Sequence, residues 1–169
     1  MDTFEAIATK LESMEYAPRH VPPDVKKKVL EAARLTASGM NYQEWKLILV
    51  QDPARLRRLA EDSTTGKWVA STDFAVMVLM ERKYNFSTLD AGRVVQDMQL
   101  AAWNYGVSSR IFTGFDKELT QRDFGIPADL SLTVVVGFGF PAKKVVGKKS
   151  RLPLSQIAFL ERYGEKLAL

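Results

Sequence analysis

Helices packed on both faces of a four-stranded sheet are the architecture this sequence predicts. Two apolar runs and the pattern between them carry that expectation. Residues 74–80 read Phe-Ala-Val-Met-Val-Leu-Met, apolar without a break and no longer than a strand, as a central strand covered on both faces would be. Residues 132–140 are a second such run, closed by Pro141. Segments with helical spacing of apolar residues alternate with the strands. The 169 residues suffice for one domain with a sizeable core, and no linker, repeat or low-complexity stretch divides them.

The elements follow in chain order. Residues 2–14 place Phe4, Ile7, Ala8 and Leu11 on one face of a helix. Val21-Pro22-Pro23-Asp24 opens a second helix, since proline is tolerated in a first turn. Val25, Val29, Ala32, Ala33 and Thr36 line its buried side. Residues 46–51 read as a strand, and Asp52-Pro53 opens a third helix through Glu61. After the strand at 74–80, Ser87 or Thr88 caps a long helix to about Tyr105. Its stripe is Ala91, Val95, Met98, Ala102 and Tyr105, and Gly106 ends it. A short strand is expected at 109–112, a short helix at 116–124 stopped by Gly125, and a last helix at 155–166.

Composition excludes several chemistries. There is no cysteine, which rules out disulfides, thiolate catalysis and Cys-based metal sites. One histidine, His20, in a proline-rich turn argues against zinc, iron and a Ser-His-Asp triad. No apolar run approaches the roughly 20 residues that span a bilayer. The start, Met-Asp-Thr-Phe-Glu, lacks the basic and apolar regions of a secretion signal, so a cytoplasmic protein without a membrane partner is expected. The net charge of +4 permits an anionic partner. Lys143, Lys144, Lys148, Lys149 and Arg151 gather near the C-terminus, but without the interleaved aromatics of a single-strand nucleic-acid surface.

The motifs narrow this further. Gly137-Phe138-Gly139-Phe140-Pro141 ends a strand with no helix after it, so it is neither a dinucleotide fingerprint nor a phosphate loop; glycines needed for close packing explain it better. The carboxylates offer no acid/base pair. Residues 37–45, Ala-Ser-Gly-Met-Asn-Tyr-Gln-Glu-Trp, join a helix to a strand and crowd Ser38, Asn41 and Gln43 around Gly39. Such a loop suits a planar, heteroatom-rich ligand. A plain helix cap with Gly39 left-handed is the alternative. With Thr113-Gly114 at a strand end and the basic stretch 149–151, three separate segments could hold a cofactor by its ring edge and its phosphate.

These segments resemble the nitroreductase-like flavoproteins over nearly the whole chain. Glu31-Ala32-Ala33-Arg34 followed by 37–45 is similar to the family's helix and Pro-Ser-x-x-Asn-x-Gln-Pro-Trp. Gln96 to Gly106, Thr113-Gly114-Phe115-Asp116, Phe124-Gly125-Ile126-Pro127, 136–141 and Lys149-Ser150-Arg151-Leu152-Pro153-Leu154 match later blocks in order. The resemblance implies an α+β fold: a three-layer α-β-α sandwich with a mainly antiparallel central sheet flanked by helices. It implies one domain over 1–169 and a homodimer with FMN at the subunit interface. There the C-terminal segment from about 155 packs on the partner, and part of the Ala91–Tyr105 stripe is expected at the interface.

The implied activity is oxidoreduction, with hydride passing from NADH or NADPH through FMN to nitro compounds, quinones or similar small acceptors. By the match, Lys149 and Arg151 reach the FMN phosphate, with Lys10 and Ser13 beside it. Ser38 and Asn41 meet the ring edge, braced by Gln43 and Trp45. Lys67 reaches the pyrimidine side. Gly114 offers its N–H near N5, the hydride-accepting atom, with Thr113 flanking it. Hydride transfer between stacked rings depends mainly on positioning and needs no catalytic side chain. The chain departs from the family pattern at Lys10-Leu11-Glu12, where Arg-Arg-Ser is usual, and at Ala37, Glu44 and Thr113. Two rivals stand beside this reading: a flavin-binding or structural dimer without turnover, and a nucleic-acid-binding domain resting on charge alone.

Overall fold

In the computed structural model, which describes residues 1–169 except 82, 84, 85, 146, 148 and 169, the apolar runs form the middle of one antiparallel sheet. The strands are β1 (Trp45–Val50), β2 (Phe74–Glu81), β3 (Ser108–Phe112) and β4 (Leu130–Gly139), in the order β1-β2-β4-β3. Every residue from Phe74 to Met80 is buried, because β2 is paired on both edges and packed on both faces.

The helices divide between the faces. α2 (Pro23–Leu35) and α4 (Ser87–Trp103) press Val25, Val29, Ala33, Val94 and Met98 onto Phe74, Val76, Val78 and Met80. α3 (Pro53–Glu61), a 3₁₀ turn at Lys67–Ser71 and the segment leading from α5 (Lys117–Asp123) cover the other face through Leu56, Leu59, Val69 and Ile126. The result is the three-layer α+β sandwich that the resemblance implied.

Local chemistry sets the ends of these elements. The Asp52 carboxylate accepts the Arg55 N–H at 2.9 Å, and Asp116 accepts that of Leu119 at 2.9 Å, so α3 and α5 begin on acidic caps. Gly106 (φ +72) and Gly125 (φ +63) take the left-handed conformation that ends α4 and α5. The glycines of 137–139 are there for space: a Cβ at Gly137 would lie 2.7 Å from the Trp68 ring, and one at Gly139 2.8 Å from Tyr16. Buried Asp73 ties the approach to α2 to the head of β2. It takes the His20 ring at 2.7 Å, the Lys26 ammonium at 2.8 Å and the Val21 N–H at 3.1 Å.

Three expectations, for the first helix, the α4 cap and the C-terminal helix, are corrected. The first helix, α1 (Thr3–Thr9), stops early: Lys10 leaves helical geometry and Glu12 pairs in parallel with Ser109, along the edge of β3. Its expected apolar face points outward, with Phe4 79% exposed while Ala6 is buried. Ser87 does not cap α4; its hydroxyl donates to the Glu81 carbonyl at 3.0 Å, and Phe86 is the cap residue. The α4 stripe divides as the sequence allowed: Ala91, Val95, Met98 and Ala102 belong to the chain's own core, and Tyr105 is exposed. No helix forms at 155–166. Beyond a 3₁₀ turn at Leu154–Gln156 the chain turns through left-handed Glu161 and Gly164, leaving Leu152, Leu154, Ile157 and Tyr163 exposed. A helix this short needs a surface to pack on, and its own chain supplies none. Among the described residues no helix is long and apolar enough to cross a membrane.

Candidate functional site

Three cations meet where the end of α1 faces the basic segment. The Lys149 ammonium donates to the Ile7 carbonyl. Burial, and then the charges of Arg151 and Lys10, push Lys149 below the usual lysine range, so the three side chains feel one another. Exposed Arg151 donates to the neighbouring Ser150 carbonyl at 2.8 Å. Lys10 is paired with Glu12 at 3.2 Å. The Ser13 hydroxyl donates to the Glu15 carbonyl at 2.9 Å, and the Ser13 carbonyl accepts from Tyr16 at 2.7 Å. Mutually repelling cations around one surface are stabilised by a multivalent anion. Lys148 lies outside the described residues.

β3 leads from this corner to Gly114. Glu12 stands against Ser109, and Gly114 follows five residues later, about 17 Å along an extended strand. The Gly114 carbonyl accepts the N–H groups of Thr64 (2.8 Å) and Thr65 (3.3 Å), while its own N–H has no acceptor among the described residues. A Cβ here would lie 2.5 Å from both threonine hydroxyl oxygens, so only glycine fits. Thr113 is exposed beside it. The Lys67 ammonium is held on the Glu61 carbonyl at 3.2 Å, at the end of α3. Thr64 and Thr65 are the site residues that sequence reasoning missed. Their one signal was the small polar run Ser63-Thr64-Thr65-Gly66 beside Lys67.

The 37–45 loop is not a plain cap. Gly39 is not left-handed; Met40 (φ 49), Asn41 (φ 58) and Gln43 (φ 49) are. Each such non-glycine residue costs on the order of 1 kcal/mol or more, and strain of this kind collects at functional sites. The Ser38 hydroxyl accepts the Gln43 N–H at 3.0 Å, and the Gln43 amide reaches the Asn41 side chain at 3.2 Å, so Gln43 braces the loop. Trp45 is buried in the core beneath it. The Gly39 N–H donates to the buried Asp90 carboxylate at 2.9 Å, fixing the loop to the head of α4. Glu44 is 3% exposed, and neither carboxylate oxygen has a hydrogen-bond partner among the described residues.

The chain brings Lys10, Lys149 and Arg151 together, with Thr113 and Gly114 further along the β3 edge, whereas the Ser13 hydroxyl is turned to Glu15 and Lys67 is held at the end of α3. Ser38 and Asn41 do not join them. They lie at the head of α4, whereas Trp103 near its other end donates to Thr9 of α1 at 3.0 Å. Asp90 and Trp103 are about 20 Å apart along the helix. The loop also feeds β1, the opposite sheet edge from β3, about 14 Å away across three strand spacings.

Comparison with known proteins places these features. The nitroreductase family's sequence profile matches residues 15–81 and 65–140. A protein of Methanothermobacter thermautotrophicus, for which NADH dehydrogenase or NAD(P)H nitroreductase activity is proposed, is 29% identical over 152 residues, covering 85% of this chain and 79% of that protein. A Thermus thermophilus NADH dehydrogenase is 24% identical over 196 residues, covering 93% and 95%. Among solved structures, an FMN-dependent nitroreductase from Clostridium difficile R20291 superposes with a TM-score of 0.86 at 17% identity, over 95% of this chain and 100% of that one. The matched segments hold the whole of the strained loop, β2, β3 and the Gly114 turn, and the chain belongs to the nitroreductase family.

Proposed function

We propose that this chain is a homodimeric, cytoplasmic FMN oxidoreductase that takes electrons from NADH or NADPH and gives them to nitro compounds, quinones or similar small acceptors. The observation that carries this reading is the line from the Lys10, Lys149 and Arg151 cluster to the N–H of Gly114, which has no acceptor among the described residues. The residues fit FMN on the chain's own chemistry: repelling cations for a phosphate dianion, and a donor held where a Cβ could not stand. Bound there, FMN would supply the hydride chemistry.

The protein's part is placement. Lys149, Arg151 and Lys10 hold the phosphate, and Ser13 adds a hydroxyl. Thr64 and Thr65 hold the Gly114 carbonyl and so fix the backbone at this residue. Ser38 and Asn41 serve the site of a second copy, because in their own chain they stand at the wrong edge of the sheet. The outward apolar face of α1 and the C-terminal segment from about 155 are then the surfaces that meet the partner.

Purified protein tests this directly. It should be yellow or take up FMN, run as a dimer, and bleach anaerobically with NADH or NADPH. A colourless chain that binds no FMN refutes the reading, and a monomeric flavoprotein refutes the shared site. The Lys10–Glu12 ion pair weakens the phosphate corner and favours a second reading, a flavin-binding dimer without turnover. A yellow protein that neither nucleotide bleaches would select it.

A further inference from the structure

The end of α3 and both ends of α5 meet at one buried carboxylate. Asp62 is 2% exposed, and neither of its oxygens has a hydrogen-bond partner among the described residues. The Arg58 Nε stands 3.4 Å from it but gives its N–H to Asp123, whose carboxylate also takes the Arg122 Nε–H at 2.7 Å. Two carboxylates thus face one guanidinium, and the less buried one takes the donors. The other charged groups nearby are engaged elsewhere. Glu61 reaches Arg58 at 3.1 Å, the Lys67 ammonium lies on the Glu61 carbonyl, and the Asp116 carboxylate is turned to its own helix cap. A carboxylate buried without a donor is costly as an anion, and a proton removes that cost. Burial raises the Asp62 carboxyl above its usual range; Arg58 opposes this, while Asp123 adds to it by its charge and by accepting the bond that a proton on Asp62 donates. Arg122, with Arg58 beside it, holds Asp123 itself well below that range.

The same residue roots the segment that holds Gly114. The Asp62 carbonyl accepts the Asp116 N–H at 2.8 Å, Ser63 pairs antiparallel with Phe115, and the Thr64 and Thr65 N–H groups bond the Gly114 carbonyl. Asp62 therefore grips the start of α5 with its backbone and faces Asp123 at the other end with its side chain. We propose that Asp62 and Asp123 share one proton, and that this proton fixes the 62–65 segment against Gly114, which makes Asp62 a positioning residue for the flavin site. The shared proton stands on the geometry of the pair; its effect on flavin rests on the flavoenzyme reading above. With the proton in place, Asp62 donates to Asp123 and the joint between α3 and α5 is closed. Once it leaves, two like charges face each other in a buried joint whose single Nε–H satisfies one of them. The repulsion falls on the 62–65 segment, because Arg55 holds the end of α5 separately, through the Asp123 carbonyl at 2.8 Å. Unfolded Asp62 ionises at the ordinary carboxylate value and folded Asp62 above it. Stability from the shared proton is therefore present below the ordinary value and lost as pH rises through the folded one.

The first test needs no variant. In full-length protein isotope-labelled at its aspartate carboxyl carbons, an NMR titration should show one carboxyl changing charge above the ordinary range and one well below it, as a coupled pair does. Asp62→Asn should abolish the upper step and the fall in stability that accompanies it, because its amide donates to Asp123 at every pH. In FMN-loaded protein, the rate of anaerobic bleaching by NADH should fall roughly two- to tenfold as pH rises through the upper step, the effect of one hydrogen bond. Asp62→Asn should keep the acid-side rate across the range, and Asp62→Ala, which has no donor, should show the lower rate throughout. No aspartate titrating above the ordinary range, or an upper step that survives in Asp62→Asn, overturns the shared proton. An upper step with bleaching in Asp62→Asn that follows wild type at every pH overturns the positioning role. Failure of the parent reading is distinct: wild-type protein is then colourless, the positioning role falls with the flavin, and the carboxyl titration still decides the shared proton.

Discussion

Replacing Lys149 by alanine separates two effects that usually run together. In the free chain the Lys149 ammonium is partly buried near Arg151 and Lys10, which holds it below the usual lysine range. Its hydrogen bond to the Ile7 carbonyl contributes about 1 kcal/mol, and losing it is offset by relief of repulsion. Stability of the free chain should therefore change by less than about 1 kcal/mol. A bound phosphate reverses the balance. One charge-assisted bond to it is worth about 1.5–3 kcal/mol, a loss of roughly 10- to 150-fold in FMN affinity. Titration by quenching of flavin fluorescence measures this, with riboflavin, which lacks the phosphate, run in parallel. FMN binding should weaken by that factor, riboflavin binding should not, and the salt dependence of FMN binding should become shallower. The sign of the pH effect follows from the same shift. Phosphate favours charged Lys149, so binding takes up protons on the alkaline side and weakens as pH rises through the lowered lysine value; the variant lacks that limb. Equal losses for FMN and riboflavin, or none for either, would refute the phosphate assignment.

Two further outcomes follow from other parts of the molecule. Gly114→Ala forces a Cβ to within 2.5 Å of the Thr64 and Thr65 hydroxyls, so it should cost about 1–3 kcal/mol in urea unfolding and slow flavin bleaching. An alanine that leaves both unchanged would show that the close approach is not needed. Burial alone would raise the Asp73 carboxyl, but Lys26, His20 and the Val21 N–H outweigh it and hold it below the usual range. A lowered folded value contributes stability that is present above the ordinary carboxylate range and lost as pH falls through the folded one. Asp73→Asn should lower stability near neutral pH by about 1.5–3 kcal/mol and flatten the acid limb of the stability profile, measured by thermal unfolding across pH.

What could be read from the sequence depended on whether a residue's partner lies nearby in the same chain. Asp52-Pro53 names its helix because the cap is local, and 74–80 names its strand because both faces of β2 are covered by this chain. Phe4 and Ile7 misled for the opposite reason: helical spacing shows that a face is apolar, not that its own chain covers it. The segment 155–166 has helical spacing but no surface to pack on, and Glu161 and Gly164 turn it instead. In the candidate site, the sequence marks Ser38 and Asn41 as candidate ligand groups by residue type, whereas their separation from Gly114 depends on strand order, which periodicity does not fix. Left-handed Met40, Asn41 and Gln43 were not readable either, since nothing in those residue types requires that geometry.

The strain in that loop has a consequence for assembly. In the free chain this loop holds three left-handed non-glycine residues and a buried Glu44 whose carboxylate has no hydrogen-bond partner among the described residues, a burden of several kcal/mol. A loop that served only its own chain would shed this by relaxing; one that presents Ser38 and Asn41 to a second copy is held in the shape the shared site requires. Flavin binding and dimerisation should then be coupled, because a ligand that bridges two chains stabilises only the pair. Diluting FMN-loaded protein through its dimer dissociation range should release flavin in step with monomer formation, and added FMN should shift that range to lower protein concentration. Flavin fluorescence and sedimentation followed over the same dilution series test this. A monomer that keeps its flavin would place both walls of the site in one chain, against the strand order that puts β1 and β3 on opposite edges.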